Sequence, residues 1–115
     1  MPHQTFEDVI CWQKAKLLSV SVYGVFKNCK DFSFRDQIQR ASVSVMNNIA
    51  EGYERNTQKE LKYFLYISKG SCGEVRSMLI LAKELGLINE VDYLELNNTS
   101  VDTSRLLAGF IKKLS

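Results

Sequence analysis

Histidine, proline and glycine are all scarce in this 115-residue chain, and each shortage closes off a class of function or fold. His3 is the sole histidine and lies near the start, which argues against a His-based triad, a multi-His zinc site or a His proton relay. Pro2 is the only proline and there are six glycines, so little interrupts helical segments. Cys11, Cys29 and Cys72 are odd in number, far apart and form no C-x-x-C pair. Such cysteines suit a reducing cytoplasm better than a disulfide framework. No apolar run approaches the roughly 18 residues that span a bilayer. Met1 to Ile10 carries Glu7 and Asp8 and lacks the basic, apolar, small-residue order of a secretory signal. A cytoplasmic protein with no membrane partner is expected. Charge of one sign is lacking too: the formal net charge is +2, so any pull toward nucleic acid must come from a local patch.

What is present points to helices. Hydrophobic residues make up 45% and charged residues 24%, which excludes a disordered chain and fits a single domain over residues 1–115. Thr5-Phe6-Glu7-Asp8, Ser33-Phe34-Arg35-Asp36, Thr57-Gln58-Lys59-Glu60 and Asn89-Glu90-Val91-Asp92 each set a capping side chain three residues before an acid. The cap oxygen accepts an orphan backbone N–H, and the acid complements the positive end of the helix. Each signal opens an apolar periodic run, predicting helices over about 6–29, 34–55, 58–86 and 90–114.

The first run offers Trp12, Ala15, Ser19, Val22 and Phe26 to a core; the third offers Leu61, Leu65, Ser68, Cys72, Val75, Leu79 and Ala82. The last offers Tyr93, Leu96, Ser100, Leu107, Ile111 and Leu114. Short connections favour antiparallel neighbours, hence an all-α, up-down-up-down four-helix bundle. Gly70 and Gly73 either break the third helix or permit a close helix crossing, and the unbroken apolar phase from Leu61 to Ala82 favours the crossing.

The second run carries the most distinctive pattern. Arg40, Ser44, Asn48, Glu51 and Arg55 recur at steps of three or four, one narrow polar stripe on a helix of about 3.6 residues per turn. Ile38, Ala41, Val45, Ile49 and Gly52 form the core side. Val43, Met46, Ala50 and Tyr53 extend apolar character around more of the circumference than a small bundle buries, which nominates them for an oligomer interface. The polar stripe reads either as a recognition surface or as a hydrogen-bond and ion-pair network fixing register; the structural reading is favoured.

A basic stripe follows. Arg55, Lys59, Lys62, Lys69 and Arg76 recur at helical spacing with Tyr66 among them, nearly opposite the apolar seam of the third helix. Cations so spaced can neutralise phosphates, and an interleaved tyrosine can stack on an exposed base. The competing reading is an ordinary solvated face, diluted by Glu60 and Glu74. Catalytic chemistry finds no support: Gly70 and Gly73 lack the surroundings of a phosphate loop, Cys72 falls on the core seam, and Glu51, Glu60 and Glu74 have no Glu-x-x-His partner for a di-iron site.

Gln39-Arg40-Ala41, Ser44 and Asn48-Ile49-Ala50-Glu51-Gly52, followed by Lys59-Glu60 and Gly70-Ser71 with Glu74, resemble the signature of a bacterial four-helix bundle family, the 23S rRNA intervening-sequence proteins. Trp12-Gln13-Lys14-Ala15 matches that family's first helix, so the resemblance covers almost the whole chain. Two departures touch helix geometry: Val45-Met46-Asn47 stands where a proline is usual, and Phe26-Lys27-Asn28-Cys29 replaces a Phe-Pro. The resemblance implies a homopentameric ring without enzymatic activity. Some members are encoded inside large-subunit rRNA genes. The resemblance extends to a related branch that serves as an accessory factor to the reverse transcriptases of diversity-generating retroelements, in which a basic surface is expected to meet nucleic acid. The expected partners are therefore further copies of this chain and RNA or a nucleic-acid-handling protein, the alternative being a ring that binds protein only. No cofactor, metal or small-molecule substrate is expected.

Overall fold

The computed structural model describes residues 5–114. A 3-10 turn, Phe6–Asp8, precedes four α-helices: α1 (Ile10–Val25), α2 (Phe32–Tyr53), α3 (Gln58–Glu84) and α4 (Glu90–Lys113). No strand occurs among the described residues. Each helix packs on its neighbours in sequence, and α1 closes against α4, with α2 and α3 sharing the largest contact. The result is a four-helix bundle 44 × 21 × 19 Å.

The start signals divide into two that hold and two that move. Thr57 Oγ1 accepts from the Glu60 N–H at 3.1 Å while donating to Glu60 Oε1 at 3.1 Å, an N-cap braced by the acid three residues on. Asn89 Oδ1 accepts from the Asp92 N–H at 2.8 Å. Thr5, in contrast, makes no capping hydrogen bond with its side chain and opens only the short 3-10 turn, after which Val9 is extended and buried. The first α-helix thus begins four residues later than expected, and it ends at Val25, before the predicted 29. At α2 the cap is Asp31, whose Oδ1 accepts from the Phe34 N–H at 3.1 Å; Ser33 lies inside the helix. The third helix stops at Glu84 because Gly86 adopts φ +72°. Leu87 N–H then bonds to Ala82 O at 2.9 Å and Gly86 N–H to Lys83 O at 3.2 Å, a Schellman closure.

The core follows the predicted seams closely. Ile38, Val45, Ile49, Leu65, Cys72, Val75, Leu79 and Ala82 are fully enclosed, together with Leu18, Val22, Phe26 and Leu107. Thr103 joins them and was absent from the predicted α4 seam; its hydroxyl is satisfied by Thr99 O at 2.7 Å. Buried hydroxyls also tie helices together: Ser68 Oγ on α3 donates to Val45 O on α2 at 2.6 Å. Cys72 Sγ donates to Ser100 O on α4 at 3.1 Å.

The glycines correct one expectation. Helix α3 runs unbroken through Gly70 and Gly73, yet both are exposed and a Cβ on either would meet open space. The close crossing occurs at Gly52 instead, where a Cβ would lie 2.9 Å from Phe64 Cβ and 3.2 Å from Leu61 O. Only glycine lets α2 approach α3 there.

Candidate nucleic-acid interface

The α2 polar stripe resolves into separate clusters. Asn48 Nδ2 donates to Ser44 O at 2.8 Å and to Ser44 Oγ at 3.0 Å. Ser44 Oγ lies 2.8 Å from Ser71 Oγ on α3. Either hydroxyl can supply the proton, since Ser44 Oγ keeps both its own proton and a second lone pair after accepting from Asn48, so the chain of bonds crosses the helix pair. Ser71 is the partner that reading α2 by itself could not supply.

One turn further on, Arg55 Nη2 pairs with Glu51 Oε2 at 3.0 Å and Nη1 lies 3.8 Å from Glu60 Oε2. Its guanidinium also covers the Phe64 ring, 4.9 Å from the centroid. This cluster of one cation and two carboxylates rests on Phe64, the residue that Gly52 approaches, so Arg55, Glu51 and Gly52 all serve the α2–α3 turn. Arg40 stands apart. It is exposed, has no ion pair among the described residues, and lines a shallow groove with Tyr23, Asp36, Gln39 and Val43.

The nominated interface residues Val43, Met46, Ala50 and Tyr53 are half-buried in the single chain. Met46 and Tyr53 pack on its core, with the Tyr53 ring 6.4 Å from that of Phe110. The bundle therefore covers much of the apolar surplus of α2. Exposed apolar surface lies elsewhere, at Ile10, Leu17 and Val20 along α1 and at Ile80, Leu81, Leu85, Val91 and Leu94 around the α3–α4 turn.

The basic stripe changes composition in three dimensions. Arg55 leaves it, being paired with two carboxylates. Lys59, Tyr66, Lys69 and Arg76 remain on the exposed side of α3, and Lys62 is half-buried in the same row. Gly70 and Gly73 sit among them as bare helix backbone, and Glu74 projects from the same helix without an ion pair among the described residues. Lys69 and Arg76 line a groove against Val101, Ser104, Arg105 and Ala108 of α4, with a volume of about 350 Å³. Arg105 is a cation the stripe did not include, because it comes from another helix. The α4 set Val101, Ser104, Arg105 and Ala108, at i, i+3, i+4 and i+7 on one helix face, is the signal that points to it.

Two of the three thiols, Cys11 and Cys72, are buried. Burial pushes the Cys11 and Cys72 thiols up to about 11, so both stay protonated near neutrality. Among the described residues no group of three or more His, Cys, Asp and Glu side chains is placed to hold a metal ion, and no helix is long and apolar enough to cross a membrane.

The family model of the 23S rRNA-intervening sequence protein matches residues 7–109, which takes in both the Arg40–Glu51 segment and the α3–α4 groove. The chain belongs to that family. A crystal structure of a protein of unknown function from the S23 ribosomal protein family of Bacteroides thetaiotaomicron superposes with a TM-score of 0.84. It is 24% identical, and the match covers 90% of this chain and 99% of that one. At that identity the likeness speaks for the shared bundle and for nothing more. No curated protein matches the chain. Within the 23S rRNA-intervening sequence family fold, the motif residues Ser44, Asn48, Glu51 and Gly52 serve the α2–α3 contact and turn in this chain, whereas Arg40, Gly70 and Glu74 remain on the surface.

Proposed function

We propose that this member of the 23S rRNA-intervening sequence family is a non-enzymatic, self-associating scaffold or adaptor of the cytoplasm that holds RNA against the outer side of α3. The observation that carries the reading is the row Lys59, Lys69 and Arg76, exposed and without ion pairs among the described residues, in a chain whose net charge is only +2. Cations left unneutralised along a helix face supply the salt-dependent attraction that phosphate backbones require. Assembly into a ring, five-membered by the family resemblance, would repeat this row around a belt and raise the local potential well above that of one chain.

A ring that binds only protein is the second reading, and Ile10, Leu17 and Val20 favour it, since they expose apolar surface along one side of α1. Native mass spectrometry of the full chain, purified without nuclease, separates the two. A ring carrying extra mass that RNase removes supports the RNA scaffold. A clean ring favours the protein scaffold, and a monomer removes self-association from the proposal.

A further inference from the structure

We propose that the furrow between α3 and α4 is the seat of a single-stranded RNA backbone, gripped from both helices by Lys69, Arg76 and Arg105. This inference rests on the RNA reading above and specifies where and how the strand lies. Three observations combine. Lys69, Arg76 and Arg105 line one groove of about 350 Å³, and none has an ion pair among the described residues. No carboxylate lines it; Glu74 and Asp102 are exposed on the two helices but bridge to none of the three. Tyr66, 56% exposed, stands one turn before Lys69 on the same helix.

The geometry selects the ligand class. Lys69 and Arg76 are two turns apart, roughly 10 Å along the helix, with Arg105 contributed by the opposite wall. One compact anion meets two such groups at most, whereas an extended phosphodiester chain passes all three. The groove is open on one side, and a small phosphorylated metabolite needs most of its surface enclosed to bind well. Packed helix axes stand about 8–10 Å apart, so the furrow between them admits one backbone and is too narrow to hold a duplex. The remaining walls suit this: Val101 and Ala108 are uncharged, and Ser104 offers a hydroxyl donor. A base flipped away from the backbone finds the Tyr66 ring within reach along α3.

The test uses fluorescence anisotropy with a labelled oligouridylate on the full chain. Arg105→Gln should weaken binding about tenfold and reduce the slope of log K against log salt by about 0.7, one phosphate contact on a single strand. Arg76→Gln, on the facing wall, should do the same. Lys30→Gln removes equal charge from the exposed α1–α2 connection and should leave both quantities unchanged. If wild type binds but Arg105→Gln behaves as Lys30→Gln, the groove is wrong and the RNA reading survives on other residues. If wild type binds no oligonucleotide, both fail. Displacement of the RNA by inorganic phosphate or polyglutamate at equal charge concentration would overturn the assignment in favour of a small-anion or acidic-peptide site.

Discussion

Gly52 and Phe64 meet where α2 packs tightly on α3: a Cβ at position 52 would come within 2.9 Å of the Phe64 Cβ. That neighbour is anchored to the α3 backbone and cannot swing aside. Gly52→Ala should therefore destabilise the fold by about 1–3 kcal/mol despite alanine's better helix propensity. Gly70 faces open space in a helical conformation, so Gly70→Ala should stabilise by about 0.4–1 kcal/mol. Urea unfolding of the two variants should give changes of opposite sign; equal effects would mean that the crossing is not what requires Gly52.

Periodicity was enough to find the helices and most of the core, because each seam residue is chosen by burial on one face of one helix. Leu65, Ser68, Cys72, Val75, Leu79 and Ala82 are all enclosed as their spacing implied. What escaped is relational. Arg105 joins Lys69 and Arg76 only once α3 and α4 are docked, and Ser71 completes the Ser44–Asn48 pair only across a helix interface. Arg55 looked like a phosphate ligand on spacing, but Glu51 one turn before it and Glu60 across the turn neutralise it. Met46 and Tyr53 are half-buried and pack partly on the core, contacts that one helix drawn alone cannot show.

The caps supply a local check. Thr57→Ala and Asn89→Ala each remove an oxygen that accepts a helix N-terminal N–H, and each should cost about 1 kcal/mol. Asp31→Ala should cost a similar amount, since Asp31 accepts from Phe34. Thr5→Ala should fall within about 0.5 kcal/mol of wild type, because its side chain caps nothing. Thermal denaturation ranks the four directly, and a large loss at Thr5 would contradict the assigned start of α1.

Placing a charge at Met46 or Tyr53 tests whether their contacts are internal. Both pack against the core, so Met46→Asp should lower the stability of the single chain by about 2 kcal/mol or more. Calorimetry combined with native mass spectrometry decides the matter. A variant that melts like wild type but no longer assembles would place these residues in a subunit interface.

Arg55 and Lys69 differ in pairing, and the difference has a consequence for RNA retention. Arg55→Gln breaks two exposed ion pairs and a cation–π contact, so its effect should be a loss of about 0.5–1 kcal/mol in stability with RNA binding nearly unchanged. The triple charge reversal Lys59→Glu, Lys62→Glu and Lys69→Glu should abolish RNA retention while the far-UV circular dichroism stays helical. Filter binding on both proteins, with folding monitored in parallel, separates them. Retention by the triple variant would exclude the α3 face.

The buried thiols predict how the bundle responds to alkali. Cys11 and Cys72 titrate near 11 in the folded chain against an ordinary 9.0, the larger cause in each case being burial. A raised thiol pKa means that the native state holds its proton where the unfolded chain has released it. Unfolding stability is therefore undiminished below about pH 9 and falls as pH rises from there through about 11, by about 1.4 kcal/mol per pH unit for each thiol. Tyr53, whose pKa is also raised by burial with smaller contributions from Cys11 and Asp8, adds loss in the same direction. Urea midpoints measured from pH 7 upward should hold steady and then decline, and Cys11→Ala with Cys72→Ala should flatten the decline. Cys29, only half-buried, should be the one thiol that a mild reagent modifies in the native protein at neutral pH. Equal labelling of all three would show that α1 and α3 open far more readily than their enclosed cores allow.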